Sequence, residues 1–302
     1  MNRNPSLRLV AVLALIATST VAAAQDGAFR ERMMTRLAAD QASGGTSYKY
    51  GSDPLQSLTL WKPPAGKPAP VILFVHGGGW RMGSARTATG AEKVRHFTGA
   101  GYALASIDYR LVPAATVEQQ AADVAAAIAW VKREGAKQGL DASRIVLMGH
   151  SAGAHLVALV GTDPRYLAAV GLEPKDVRGV VALDGAAYDV PTQFAAAGPQ
   201  MRQTYTQAFG ADAARQRALS PTLHAAAPNA PDFLILHVQR PDGISQSEAL
   251  AAALRKAGTR ATVQGFPGEG LRGHMEINRS LGRDDYPATA VVDRWLAQTI
   301  GR

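Results

Sequence analysis

The sequence predicts an α/β protein: a mostly parallel central sheet with helices on both faces and a small cap. Three observations predict it. Short apolar runs recur along the 302 residues at 71–75, 102–107, 144–148, 177–183 and 233–238, each too continuous for a half-exposed strand and suited to a parallel strand buried on both faces. Helical patterns alternate with these runs, which is the order a parallel sheet needs. Most runs end in glycine-, proline- or aspartate-rich turns, among them Gly149-His150-Ser151-Ala152-Gly153 between a strand and a helix. A chain of this length can bury a substantial core.

Residues 1–24 predict an export signal. Arg3 and Arg8 make a positive start, Leu9 to Ile16 is unbroken apolar sequence, and Ala22-Ala23-Ala24 offers a cleavage site before Gln25. The run is too short to span a bilayer. The expected organisation is therefore a signal at 1–24 and one domain at 25–302, exported to the periplasm or medium, with no stable membrane insertion after cleavage. The full chain carries 32 Lys+Arg against 24 Asp+Glu, a net charge of +8. Loss of Arg3 and Arg8 leaves 30 basic against 24 acidic residues, or +6. The basic residues are scattered, without a basic run interleaved with aromatics, so no nucleic-acid partner is expected. There is no cysteine, which excludes thiol catalysis and thiolate metal sites. The histidine spacings predict no zinc site, and no cofactor is expected.

Phe29, Met33 and Leu37 suggest a helix within 26–46, ended by Gly44-Gly45. Leu58-Thr59-Leu60-Trp61 alternates as an early strand, and the proline-rich 62–68 stretch is a turn. Val71 to Val75 reads as a central strand, followed by His76-Gly77-Gly78-Gly79-Trp80. After strand 102–107, Asp108 and Arg110 are expected to pair and hold their loop. Val117, Ala121, Val124, Ile128 and Val131 predict a long amphipathic helix, with Thr116 and Gln119 forming a capping box. The elbow strand and a helix ending near Gly161 follow, then strand 177–183 closed by Asp184-Gly185. Residues 186–230 contain no strand pattern and are expected to form a cap over the site, with a helix between Gln200 and Ala208. Strand 233–238, a turn at Arg240-Pro241-Asp242-Gly243, a helix from about Gln246 to Lys256, strand 261–266, a glycine-rich loop holding His274, and a closing helix from Tyr286 to Ile300 complete the order.

The chemistry is carried by the turns. In a strand–G-x-S-x-G–helix segment the two glycines leave room for an abrupt turn that lifts the serine hydroxyl clear of the sheet edge. The following amide, here Ala152 N–H, faces a developing oxyanion. The three glycines after Val75 leave backbone amides unshielded, so Gly78 and Gly79 are expected to complete that hole, while His76 braces the loop. A serine nucleophile needs a base and an acid. In the order Ser, Asp, His, the chain offers Ser151, Asp242 and His274, the last two past successive strands. Asp184 and Asp189 also follow a strand, but one strand earlier, and Asp242 is favoured. His237, His155, His224 and His96 read as packing or surface residues. Trp80 and residues of 186–230 are expected to line the substrate pocket. His150, the variable position of the elbow, reads as bracing and is carried with Trp80 as a substrate-side candidate.

On these motifs the chain, from about residue 58 to its end, resembles the α/β-hydrolase superfamily, and within it the hormone-sensitive-lipase and BD-FAE groups of esterases. The resemblance implies an α/β-hydrolase fold and a serine carboxylic-ester hydrolase acting on small to medium esters through an acyl-enzyme. The run Gly149 to Leu156 is also similar to kynurenine formamidases, so amide, peptide or arylformamide hydrolysis is the second reading; a catalytically inactive binding module is the remote third. In relatives the acid often lies four residues after a His-Gly pair, whereas here Val238 follows His237 and Asp242 is five residues on. The expected partner is a small-molecule ester.

Overall fold

Eight strands align in the order β1-β2-β4-β3-β5-β6-β7-β8 in the computed structural model of the chain. The structure describes residues 41–64, 66–226 and 228–301; the expected signal at 1–24 and the helical pattern around Phe29, Met33 and Leu37 lie outside them. Residues 42–302 form a single compact unit.

β1 (Thr46–Lys49) and β2 (Ser57–Trp61) are antiparallel, and β2 pairs antiparallel with β4 (Ala103–Ile107). The remaining strands, β3 (Ala69–Val75), β5 (Leu140–His150), β6 (Gly179–Leu183), β7 (Asp232–Gln239) and β8 (Arg260–Glu269), run parallel with β4. β3 lies between β4 and β5, and all seven of its residues are buried. That position requires the unbroken apolar run, because helices cover both faces of the strand.

Alternate side chains divide the core. Val71, Leu73 and Val75 pack with residues of α3 (Val117–Glu134), α4 (Ala152–Thr162) and α10 (Pro241–Lys256). Ile72 and Phe74 face the opposite layer, with Phe97 of α2 (Ala91–Gly99), Ile277 of α11 (Gly270–Ser280), and Val292 and Leu296 of α12 (Pro287–Thr299). α3 begins at the expected capping box: Thr116 Oγ1 accepts from Gln119 N and Gln119 Oε1 accepts from Thr116 N. A short helix, α1 (Ala85–Thr89), precedes α2, and α5 (Pro164–Ala168) follows α4.

Between β6 and β7 the described residues hold four helices and no strand: α6 (Val190–Ala196), α7 (Pro199–Phe209), α8 (Ala213–Ala218) and α9 (Pro221–His224). Of these, α7 leans on the loop after β3, where Trp80 packs against Tyr205 and Phe209 and Arg81 bonds Gln207.

Three local expectations are corrected. Arg110 pairs with Asp123 on α3 through a bidentate contact, not with Asp108; Asp108 instead accepts from Ala85 N and Ser57 Oγ. α10 begins at Pro241, five residues before the expected start, since proline at the first helical position needs no hydrogen-bond acceptor and presets φ. His274 stands on helix α11, not in a loop.

Candidate active site

The site forms where β3, β5, β6, β7 and β8 end. β5 stops at His150, α4 starts at Ala152, and Ser151 between them has φ 57° and ψ −119°. A side chain on Gly149 would place its Cβ 2.3 Å from Gly153 O, and one on Gly153 would place it 2.0 Å from Val75 O. Both glycines are thus required by close backbone approach, one inside the elbow and one against β3. Ser151 N donates to Leu183 O at 3.1 Å, tying the elbow to the end of β6. Ala152 opens α4, so its N–H is one of the first-turn donors with no carbonyl partner inside the helix.

The glycine loop runs past the serine. A Cβ on Gly77 would lie 3.0 Å from Ser151 Cβ, and Gly78 and Gly79 have φ of 126° and 60°. His76 braces this loop: Nδ1 donates to Gly77 O at 2.7 Å, the ring stacks on Tyr109 with centroids 4.3 Å apart, and Tyr109 Oη donates to His76 O. Burial pushes the His76 imidazole below its ordinary pKa and keeps it uncharged.

His274 reaches Ser151 from α11, its Nε2 3.0 Å from Ser151 Oγ. On the other side Nδ1 donates to Asp184 Oδ2 at 2.6 Å. That bond sets the tautomer in which Nε2 accepts from the serine hydroxyl. Asp184 is the first residue after β6, is fully buried, and has φ 43°. Its Oδ1 accepts from Val238 N at 3.0 Å, and Arg240 Nε lies 3.1 Å from Oδ2. Burial alone would raise the Asp184 carboxyl, but the His274 bond, the Arg240 charge and the Val238 amide outweigh it and hold the group below the usual carboxylate range.

Asp242, the acid expected from strand order, is not the partner of His274. It occupies the first turn of α10, where Oδ2 accepts from Gln193 Nε2 at 3.2 Å and lies 3.9 Å from Arg240 Nη2. It faces a cleft of about 540 Å³ lined also by Gln193, Tyr205 and Ser245. Because α10 starts directly after β7, Asp242 is carried onto the helix, and Arg240 occupies the space beside Asp184. Trp80 is also corrected: it is 3% exposed, donates from Nε1 to His155 Nδ1 at 3.3 Å, and serves as packing between the glycine loop and α7. His150 is likewise internal. Its Nε2 donates to His274 O at 2.9 Å and its ring lies 4.5 Å from the His274 ring. Burial, with the nearby His274, lowers its pKa well below the ordinary value, so it braces α11 as a neutral ring.

The structure thus joins Ser151 and His274, adds Asp184, and leaves Asp242, Trp80 and His150 in supporting places. The sequence offers one signal for Asp184, shared with Asp242: it stands at a strand exit, directly after the run Val180 to Leu183. Among the described residues four non-glycine residues have positive φ, Trp80, Ser151, Asp184 and Ala187, and all follow β3, β5 or β6 at this edge. Backbone strain concentrated at one edge marks a built site. Among the described residues no group of three His, Asp or Glu side chains could hold a metal ion.

The BD-FAE family model matches residues 58–254. The chain belongs to the BD-FAE family. Similar curated proteins include esterase LipC of Mycobacterium tuberculosis, 42% identical over 124 residues, covering 39% of this chain and 30% of that protein. The probable carboxylic ester hydrolase LipM of the same organism is 32% identical over 218 residues, covering 68% and 49%. The chain aligns with about a quarter to a half of the length of such relatives. Among solved structures, esterase B from Lactobacillus rhamnosis superposes with a TM-score of 0.71 at 23% identity, covering 95% of this chain and 94% of that one. Esterase 2 of Thermogutta terrifontis gives 0.68 at 24%, covering 85% and 96%. These likenesses, with the eight-stranded sheet and its flanking helices, show the α/β-hydrolase fold for this BD-FAE chain.

Proposed function

We propose that this BD-FAE protein hydrolyses carboxylic esters through an acyl-enzyme on Ser151. The observation that carries the reading is the unbroken chain from Ser151 Oγ to His274 Nε2 at 3.0 Å and from His274 Nδ1 to Asp184 Oδ2 at 2.6 Å. His274 takes the serine proton as Oγ attacks the acyl carbon. Asp184 holds the ring in the required tautomer and stabilises the imidazolium that forms. The Ala152 amide, with Gly78 and Gly79, stabilises the tetrahedral oxyanion, each donor lowering the barrier by about 3 kcal/mol. His274 then protonates the departing alcohol, and water, deprotonated by the same ring, releases the acid and restores Ser151. The names of the similar proteins, esterases and a carboxylic ester hydrolase, support the ester bond as the one cleaved.

Small to medium esters suit the surroundings. Met82, just past the glycine loop, and Leu271 and Met275, on α11 with His274, are exposed apolar side chains that support a short acyl or alcohol group in this reading. Export is part of the proposal and rests on residues 1–24; N-terminal sequencing of the mature protein is expected to start at Gln25. Among the described residues no helix is long and apolar enough to cross a membrane.

The test is hydrolysis of p-nitrophenyl acetate, butyrate and octanoate by the protein and by Ser151→Ala. Turnover is expected to fall by more than about 10⁴-fold in the variant, with acetate or butyrate preferred over octanoate. Equal rates in the two proteins would overturn the reading and direct attention to amide bonds.

A further inference from the structure

Between β7 and α10 lies a guanidinium that no step of the proposed reaction uses. Arg240 Nε is 3.1 Å from Asp184 Oδ2, the same oxygen that accepts the hydrogen bond from His274 Nδ1. Its Nη2 is 3.9 Å from Asp242 Oδ2. Nε and Nη2 are buried and neither makes an aligned hydrogen bond, so the contact with Asp184 acts through charge. The backbone prepares the place: Arg240 N donates to Val238 O at 2.8 Å, and Ile244 N donates to Arg240 O at 2.9 Å. A side chain on Gly243 would set its Cβ 3.1 Å from Arg240 Nη2 and 3.3 Å from Asp184 Oδ1, so the glycine keeps room for the pair.

We propose that Arg240 is a positioning residue of the triad: it shares the Asp184 carboxylate with His274 and thereby keeps the imidazole in its uncharged, proton-accepting form to lower pH. The reasoning is electrostatic. A buried carboxylate beside a histidine favours the imidazolium. A guanidinium on the same oxygen offsets that pull. Asp242 is the opposing lever, because its carboxylate draws on Arg240 from the cleft side.

The other groups around the pair do not supply this balance. His150, against the His274 ring, stays neutral through burial. Burial, with the charge of Asp184, raises the phenol of Tyr188; burial, with Glu276 and then Asp184, raises that of Tyr286; and burial, with Asp242, raises that of Tyr205. Glu276 on α11 is engaged by Arg279 and Ser280. Lys93 on α2 is a buried cation bonded to Asn278 O, and its field falls on His150.

The inference rests on the ester-hydrolase reading only for its kinetic form. Two measurements separate the two: the pH dependence of kcat/KM for p-nitrophenyl butyrate, and titration of the His274 ring followed by NMR, its resonance assigned by loss in His274→Gln. Arg240→Met is expected to raise the His274 pKa and move the acidic limb of kcat/KM to higher pH by about one unit. Arg240→Lys, which keeps the charge, is expected to stay near the parent, and Asp242→Asn to move both readouts the opposite way, to lower pH. A His274 pKa unchanged in Arg240→Met, or shifts of the same sign in Arg240→Met and Asp242→Asn, overturns the proposal. Should Arg240→Met fail to fold, the sign in Asp242→Asn decides alone. Absence of Ser151-dependent hydrolysis together with the expected NMR shifts would overturn the esterase reading and leave the inference standing.

Discussion

Ser151 and Asp184 follow the ends of β5 and β6 and His274 stands within α11, and each is held by more than its function needs. Ser151 N is bonded to Leu183 O, His274 O receives His150 Nε2, and Asp184 accepts from His274 and Val238 with Arg240 beside it. Replacement of Asp184 by Asn is expected to lower kcat by about 10⁴-fold by favouring the wrong imidazole tautomer, while Asp242→Asn loses less than about tenfold; ester turnover at pH 8 reads both. Serine and base were legible in the sequence, the serine because backbone sterics dictate the glycines around it and the base because His274 follows the last strand run; the glycines after Val75 mark a loop that passes beside Ser151. The acid was not. A carboxylate needs no special backbone, so Asp184 and Asp242 both satisfied the strand-end criterion, and what separates them is the bond from His274 to Asp184 and the helix start at Pro241 that carries Asp242 away.

At the level of elements, periodicity served well wherever one face of a segment had to be buried. α3 lies where its apolar spacing put it, with its capping box formed. Thr116→Ala is expected to remove about 1 kcal/mol of stability, read as a lowered urea midpoint with unchanged slope. The strands β3, β5, β6 and β7 followed their apolar runs for the same reason. Glycine misled in one place. Gly270 and Gly273 suggested a loop around His274, yet α11 runs through both. A Cβ on Gly273 would lie 2.4 Å from Gly268 C, so this glycine lets the helix settle on the end of β8 rather than breaking it. Likewise Asp108 and Arg110 looked like a local pair, but Arg110 reaches the buried Asp123 of α3, a longer-range partner that spacing does not reveal.

For the molecule as a whole, buried histidines set the response to acid. His76, His150 and His155 are buried and uncharged; burial carries His155 down to about 4. Unfolded histidine titrates near 6.5, so between about pH 6.5 and 4 the unfolded chain binds more protons than the folded one, and stability is complete above that window and declines as pH falls through it. Asp184, held low in the folded state, adds a loss only below about pH 3.9. Thermal midpoints measured from pH 8 to pH 4 are expected to fall mainly below pH 6.5, and His155→Gln to flatten part of the slope; a parent midpoint constant down to pH 4.5 would contradict this. The parallel sheet holds a further implication. Asp184 N is bonded to Leu236 O at 2.7 Å, so the exits of β6 and β7 stand side by side. A carboxylate can therefore change its address from one strand exit to the next while the histidine it serves stays where it is. A chain whose usual acid has been replaced can remain chemically intact, and a residue-by-residue comparison with its kin would wrongly count it among the dead.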